Sequence, residues 1–330
     1  MTKSASEAAL SLFALGAMLM LVPSIPARAA PTKTWVAFYG TDSSSCGAAT
    51  APCATFQQAH DNVADGGEVG VLTPGDYGKV QMTKPASITD DATGQAGIQA
   101  PGGDWAVNIV IGSGAAVSLR GLVIDGVASG GVGIRMVGAQ TVHIQNCVIK
   151  NFEGIGAYGI IFDALGAAPT QLFVSDTIVF NNGSTADSGG ILVVNGAQAG
   201  SSVVLDRVHL ENNVIGLKVD GSGNVGNGLH VVVRDSVVSG NAGDGIRAVS
   251  VPGAAPAFVL VEHTSAVNNG GIGIHADGPR ATILLKDNTI TRNGTGINAT
   301  SGGQLISYGN NTNNNNIGPE GAPTGLFSPM

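Results

Sequence analysis

Residues 203–219 read VVLDRVHLENNVIGLKV, residues 231–248 read VVVRDSVVSGNAGDGIRA, and residues 259–276 read VLVEHTSAVNNGGIGIHA. The three stretches share one plan. An alternating apolar segment is followed by a polar pair and a second short apolar segment. Asn comes next, and then a Gly followed by Ile or Leu, any residue, and an apolar residue. Four more copies surround these three. Their first segments align on Leu119, Ile144, Val174, Leu205, Val233, Val261 and Leu285, with separations of 25, 30, 31, 28, 28 and 24 residues. A unit of this length that keeps recurring is the mark of a solenoid. No helical phase of 3.6 residues is present, so the repeating unit is not a helix. Three short strands per turn fit the period.

Alternation can be followed column by column. The first segment puts Val117/Leu119, Val142/Ile144, Leu172/Val174, Val203/Leu205, Val231/Val233, Val259/Val261 and Ile283/Leu285 on one side. The Gly-Ile segment does the same from Ile134/Met136 through Leu217/Val219 to Ile297/Ala299, and a third column runs from Ile124 and Ile149 to Ile290. Side chains of a strand alternate between faces, so three clean columns predict an all-β fold of three parallel sheets around one interior. The 23 Asn have a place in it, since 22 of them lie between 108 and 316. Asn tolerates left-handed φ, and its amide can bond to the same residue one coil away. Asn151, Asn181, Asn212 and Asn268 form one expected turn column; Asn182, Asn213, Asn241, Asn269 and Asn293 form the next. Cys147 falls in an inward column with Leu122, Thr177, Val208, Ser236, Thr264 and Asn288, which reads as a small core residue rather than a reactive thiol.

Composition agrees. The 330 residues include 50 Gly, 43% are hydrophobic and only 12% are charged. A coiled coil needs many more Glu and Lys, collagen needs Gly in a three-residue period, and disorder needs fewer apolar residues. The formal net charge is −8 with no basic cluster, which disfavours a nucleic-acid partner.

The first residues have the layout of an export signal: Lys3, an apolar run over 8–22, Pro23, Pro26, and a small-residue site at Ala27-Arg28-Ala29. The run is 15 residues long, short for a membrane span. Cleavage after Ala29 would change the charge from −8 to −9, and no later segment is apolar enough to span a bilayer. A secreted or periplasmic location is expected. Cys46 and Cys53 lie seven residues apart among Gly, Ala, Ser and Pro, and in an oxidising compartment they would close a small disulfide loop. The alternative, a metal site, has only His60 nearby, and the spacing is not a usual zinc spacing.

With the repeat, the opening Gly40-Thr41-Asp42, Pro52-Cys53 and Thr55-Phe56-Gln57-Gln58-Ala59 resembles the right-handed parallel β-helix proteins of the pectin-lyase-like superfamily, in particular secreted bacterial β-helix-repeat members of undefined activity. The resemblance covers 34–316. It implies a right-handed parallel β-helix with a short N-terminal capping helix, for which Phe56, Ala59 and Val63 have the spacing of one helix face. The expected organisation is a signal peptide over 1–29, a cap with the Cys46–Cys53 disulfide and first strand over 30–78, the β-helix over 79–316, and a tail over 317–330. The first strand and turn are placed at Val69 to Leu72 and Pro74 to Tyr77. Val80, Met82, Ile88 and Ile98 suggest irregular early coils. Leu326 and Phe327 suit a tail laid over the open end.

Function must face outward. In the Gly-Ile sheet one outward column reads Arg135, Ile161, Leu192, Lys218, Arg247, His275 and Asn298; its neighbour reads Val137, Asp163, Val194, Asp220, Val249, Asp277 and Thr300. Coils stand ~4.8 Å apart, so Lys218, Arg247 and His275 would form a cationic ladder beside Asp220 and Asp277. The resemblance implies that this sheet lines a polysaccharide groove, with Arg135, Lys218, Arg247, His275 and Asn298 as substrate-binding candidates. Lys218, Arg247, His275, Asp220 and Asp277 are the catalytic candidates, should there be catalysis. A calcium-dependent lyase needs several acidic ligands on one ion, but Asp163, Asp220 and Asp277 fall on alternate coils, ~9–10 Å apart. An inverting hydrolase needs carboxyls ~6.5–9.5 Å apart, which this spacing reaches only at its limit. Polygalacturonase motifs are absent. No metal ligand set is identified, and calcium is admitted by the resemblance alone. The expected role is a polysaccharide-facing binding or surface role; the alternatives are a polysaccharide lyase or glycoside hydrolase acting on an acidic glycan, and a structural or adhesion protein.

The first-segment sheet has an outward stripe of its own. Phe173, Val204, Val232, Leu260 and Leu284 follow one another on five consecutive coils. Such a stripe is usually covered. The loops at 164–169, 195–200 and 251–256 or a second copy of the chain are the candidate covers, which admits an oligomer through the stripe; the alternative is that aliphatic ladders simply suit stacked strands.

Overall fold

The structure is a computed structural model that describes residues 29–327 apart from 92, 113, 139–140, 164–168, 195–199 and 224. The expected export signal lies, except for Ala29, outside the described residues, and the chain divides into the units Met1–Ala30 and Pro31–Met330. Pro31–Met330 contains one short helix and, among the described residues, three parallel sheets of twelve, nine and ten strands. Neighbouring strands within each sheet come from successive coils. The interior columns stack as alternation requires. Ile134, Ile160, Ile191, Leu217, Ile246, Ile274 and Ile297 pair in one unbroken register, and each is at most 3% exposed.

Asn holds the turns. Asn182, Asn213, Asn241, Asn269, Asn293 and Asn316 form a ladder. The Oδ1 of each of the last five accepts both the backbone N–H and the side-chain amide of the Asn one coil before it, at 2.8–3.2 Å. The neighbouring Asn column turns the backbone instead. Asn151, Asn181, Asn212 and Asn268 all have φ between 54° and 60°. This left-handed turn costs Asn less than most side chains. The column of Cys147 makes a second ladder, in which Thr177, Ser236, Thr264 and Asn288 each accept a backbone N–H from the coil before. Cys147 is 1% exposed, and burial pushes its thiol up to about 11. We expect it to resist thiol reagents in the native protein and to react fully in denaturant; labelling followed by mass spectrometry measures this.

Three features correct the sequence reading. The first strand is Lys33–Val36, which precedes the expected one and pairs with Gly67–Val71. The early coils are regular: Val80 and Met82 stack on Val107 and Ile109, Ile88 on Leu119, and Ile98 on Ile124. The tail does not bury Leu326 and Phe327, which are 73% and 49% exposed. Instead Gly325–Leu326 adds a last strand beside Gln304–Ser307, and the carbonyls of Pro319 and Glu320 accept from Gly296 and Ile297. The tail therefore closes hydrogen-bonding edges, which is what an open solenoid end most needs.

At the other end the helix Phe56–Asn62 starts at Thr55, whose hydroxyl accepts from the Gln58 N–H. Phe56, Ala59 and the C-cap Val63 are buried, as the spacing predicts. Cys46 and Cys53 are joined, and the Asn62 amide donates to the Cys46 carbonyl at 2.9 Å. His60 is fully buried as well. Its Nε2 accepts from the Thr83 N–H at 3.2 Å, so Nδ1 carries the proton and has no partner. Burial first, and then Lys84, lower its pKa, against smaller opposing effects of Asp61 and Asp65. Between this lowered value and the ordinary ~6.5, the unfolded chain binds the proton and the folded one does not. This contribution to stability is complete above about pH 6.5 and declines as the pH falls below it. Urea midpoints should therefore fall between pH 7.5 and 5.5 by a margin that shrinks in His60→Asn.

Candidate functional site

The nine-stranded sheet carries the candidate site on its outer face. The strands Ile215–Asp220, Ile246–Val249, Ile272–Asp277 and Thr295–Thr300 lie side by side. Their register puts Lys218, Arg247, His275 and Asn298 in one row, and Asp220, Val249, Asp277 and Thr300 in the next. Arg135 is in the same row but three strands away, with Ile161 and Leu192 between it and Lys218. Four of the five expected binding residues are therefore brought together and Arg135 is not.

The cations are not free. Lys218 Nζ lies 2.8 Å from Asp187 and 3.2 Å from Asp220, and its side chain is 13% exposed. Burial works against its charge, but Asp187 and Asp220 outweigh burial and hold its pKa above the ordinary lysine value. Arg247 Nη2 donates to Asp277 at 2.8 Å, while its buried Nε has no partner. Hydrogen bonds, from Arg247 above all and from the Thr300 and Ser301 hydroxyls, lower Asp277 to about 2 against partial desolvation. His275 is set between Asp244, 2.8 Å from Nδ1, and the Thr300 hydroxyl, 2.9 Å from Nε2.

The hydrogen bonds also place protons. Asp277 is ionised and only accepts, so the single proton of the Thr300 hydroxyl goes to it, at 2.9 Å. Nε2 of His275 is then the donor to Thr300, while Nδ1 lies 2.8 Å from the Asp244 carboxyl. His275 lies on its strand in the expected outward column, but it is only 8% exposed and is held by two partners.

Sequence reasoning missed Asp187 and Asp244. Both lie outside the strands, in the turn regions ahead of Gly189–Val194 and Ile246–Val249, where two-residue alternation says nothing. Asp244 has a detectable signal nonetheless. It immediately precedes the Gly-Ile pair, and its other oxygen accepts the N–H of Ile272 on the next coil. Tyr158 was missed too. It is 2% exposed, and burial, Asp187 and Asp220 all raise its pKa. Asp163 lies two strands from Asp220, with Val194 between; burial raises its pKa and Arg135 partly opposes the shift.

These carboxylates do not fit a calcium ion, whose oxygen ligands stand ~2.3–2.6 Å from the metal. Asp163, Asp220 and Asp277 are each two strands apart, about 9–10 Å. Where Asp187 and Asp220 converge, the Lys218 ammonium already lies between them. Among the described residues, the grouping with metal-ligand geometry is Asp42, Cys46 and Cys53, and its sulfurs form the disulfide. The face instead offers fixed donors beside fixed acceptors, partly buried.

The twelve-stranded sheet carries the apolar stripe. Phe173, Val204, Val232, Leu260 and Leu284 share one row of the twelve-stranded sheet, and each is half-buried. Part of the row, with the stacked pair His230 and Phe258, lines an open hollow of about 330 Å³. Of the expected covering loops, 164–168 and 195–199 lie outside the described residues.

No curated protein matches the chain. Among solved structures it is similar to the pectate lyase Pel9A, at 15% identity over 84% of this chain and 75% of that one, with a TM-score of 0.59. It is also similar to a rhamnogalacturonan lyase (13% identity, 83% and 75% covered, TM-score 0.45). A third similar structure is the A-module of the mannuronan C-5 epimerase AlgE4 of Azotobacter vinelandii (12% identity, 80% and 91% covered, TM-score 0.44). At these identities the likeness is one of fold, a fold shared with the pectate lyase Pel9A. The family described as right handed beta helix region matches residues 107–317, well over half the chain and the same stretch in which the coils, the Asn ladder and the outward rows were found, so the chain belongs to that right-handed β-helix family.

Proposed function

We propose that the protein is exported and binds a polysaccharide on the outer face of the nine-stranded sheet, at Lys218, Arg247 and His275, without cleaving it. The observation that carries this reading is the row itself: three cationic or proton-bearing side chains on consecutive strands, each fixed by a carboxylate. Pre-positioned charged groups of this kind bind hydroxyl-rich ligands at little entropic cost. The fold is one shared with the pectate lyase Pel9A. Export accords with the disulfide, a bond that persists in oxidising compartments. Among the described residues no helix is long and apolar enough to cross a membrane.

Binding is favoured over cleavage by the state of the groups. A lyase base must lose its proton to act, and the neighbours of Lys218 hold its proton on. A hydrolase acid must carry a proton, and Asp277 titrates at about 2. Asp163, the carboxyl on this face whose pKa is raised, has an apolar Val194 between it and the next acid of its row.

Affinity electrophoresis of the exported protein through polysaccharide gels, with and without calcium, tests the proposal. Retardation without release of unsaturated or reducing products is expected. Lys218→Met and Arg247→Gln should each weaken binding about 10-fold, the equivalent of one charge-assisted hydrogen bond, with urea midpoints recorded to confirm folding. Release of unsaturated products, abolished by Arg247→Gln, would establish the lyase instead.

A further inference from the structure

We infer that the glycan taken by this face is neutral rather than rich in uronic acid, and that Asp187 and Asp220 set this preference. The inference rests on the binding reading above and names its ligand class. Three groups on the face can be positive: Lys218, Arg247 and His275. Four carboxylates stand directly on them: Asp187 and Asp220 on Lys218, Asp277 on Arg247, and Asp244 on His275. Even with His275 protonated, the cluster carries one more negative charge than positive.

Asp187 and Asp220 take two of the three N–H donors of Lys218, so a uronate carboxylate reaching the third would lie against both of them. Lys218 is only 13% exposed, so this repulsion would act where water screens it poorly. At Arg247 the obstacle is Asp277, which is also held by Thr300 and so is not free to swing away. The charge of the chain as a whole acts in the same direction, since a formal net charge of −8 repels a polyanion at low salt.

A neutral sugar meets neither barrier. Its hydroxyl donates one proton and accepts through two lone pairs, so it can bridge a carboxylate and the adjacent ammonium or guanidinium without breaking their pair. Alternating donors and acceptors across three neighbouring strands suit a chain of hydroxyls. They do not suit a row of like charges.

The experiment compares immobilised galactan, xylan, mannan and dextran with polygalacturonate and alginate, using the exported protein at low salt in calcium and in EDTA. Expected is retention by at least one neutral glycan, with uronate glycans bound at least 10-fold more weakly in both buffers. Asp187→Asn combined with Asp220→Asn should then raise polygalacturonate retention severalfold, and added salt should abolish the gain. Uronate binding as tight as neutral binding, in either buffer, overturns the inference while leaving the glycan-binding face intact. Retention by no glycan overturns the binding reading and this inference together. An unchanged polygalacturonate affinity in the double variant removes Asp187 and Asp220 as the cause and overturns the inference in that form.

Discussion

Asn241→Ala is expected to lower the stability of the folded chain by about 3–5 kcal/mol, read as a fall in the urea midpoint of the circular dichroism signal. The side chain is 1% exposed and every polar position on it is used. Its Oδ1 accepts the N–H of Asn213 at 2.9 Å and the Asn213 amide at 3.2 Å. Its Nδ2 donates to the carbonyl of Leu210 at 3.1 Å and to Oδ1 of Asn269 at 2.8 Å. Alanine leaves the Asn213 N–H, the Asn213 amide and the Leu210 carbonyl without these partners, in an interior with no room to turn elsewhere. Each such orphan costs ~1–3 kcal/mol, and their sum is reduced by whatever water reaches the cavity. Asn268→Ala is the matched control. That residue is in the adjacent column at φ 57°, exposed, and its substitution should cost only the ~1–2 kcal/mol of the left-handed backbone. Similar losses in the two variants would mean that turn conformation, rather than the buried ladder, is what Asn supplies.

What could be read in the sequence follows from what forces a pattern. Strand residues that face the common interior away from the polar ladders are nearly all apolar, so the sheets, their registers and the rows of the outer face were legible from two-residue alternation. The strand Lys33–Val36 escaped because one of its inward positions is Thr34, whose hydroxyl satisfies itself on the Ala59 carbonyl at 3.0 Å. The early coils looked irregular because Ala86–Thr89 and Val80–Met82 are short and lie before the Asn ladder that marks the later turns. At the candidate site the positions of Lys218, Arg247 and His275 were legible, as were Asp220 and Asp277 beside them, but the partners Asp187 and Asp244 were not. Asp187 and Asp244 act from turns one coil away, and nothing in local spacing says which strand a turn residue reaches. A row that reads as cationic in the sequence is therefore, in the structure, a row of side chains each held by a carboxylate.

Gly-Ile recurs in the third segment of the coils, and the Gly is required by the ladder beside it. Gly245→Val should destabilise the protein by more than about 3 kcal/mol. In an open strand the change would run the other way, because a β-branched residue suits the pleat and Gly costs the chain entropy on folding. Here a Cβ on Gly245 would stand 2.6 Å from the Gly273 carbonyl oxygen and 2.9 Å from the Asn269 amide. Gly216 meets the Gly245 carbonyl at 2.5 Å and the Asn241 amide at 3.0 Å in the same way, and Gly273 meets Gly296 and Asn293 at 2.7 and 2.8 Å. The obstacle is backbone on the neighbouring coil, which can move only by opening the sheet, and an amide that the ladder holds in place. Packing and hydrogen bonding are thus one constraint: the glycine column leaves the space that the Asn column fills. Gly223→Ala, at a site where a Cβ meets nothing within 4 Å, should leave the midpoint unchanged or slightly raised. If Gly245→Val left the midpoint where it was, the coils would be looser than this packing requires, and the effect expected for Asn241→Ala would have to shrink with it.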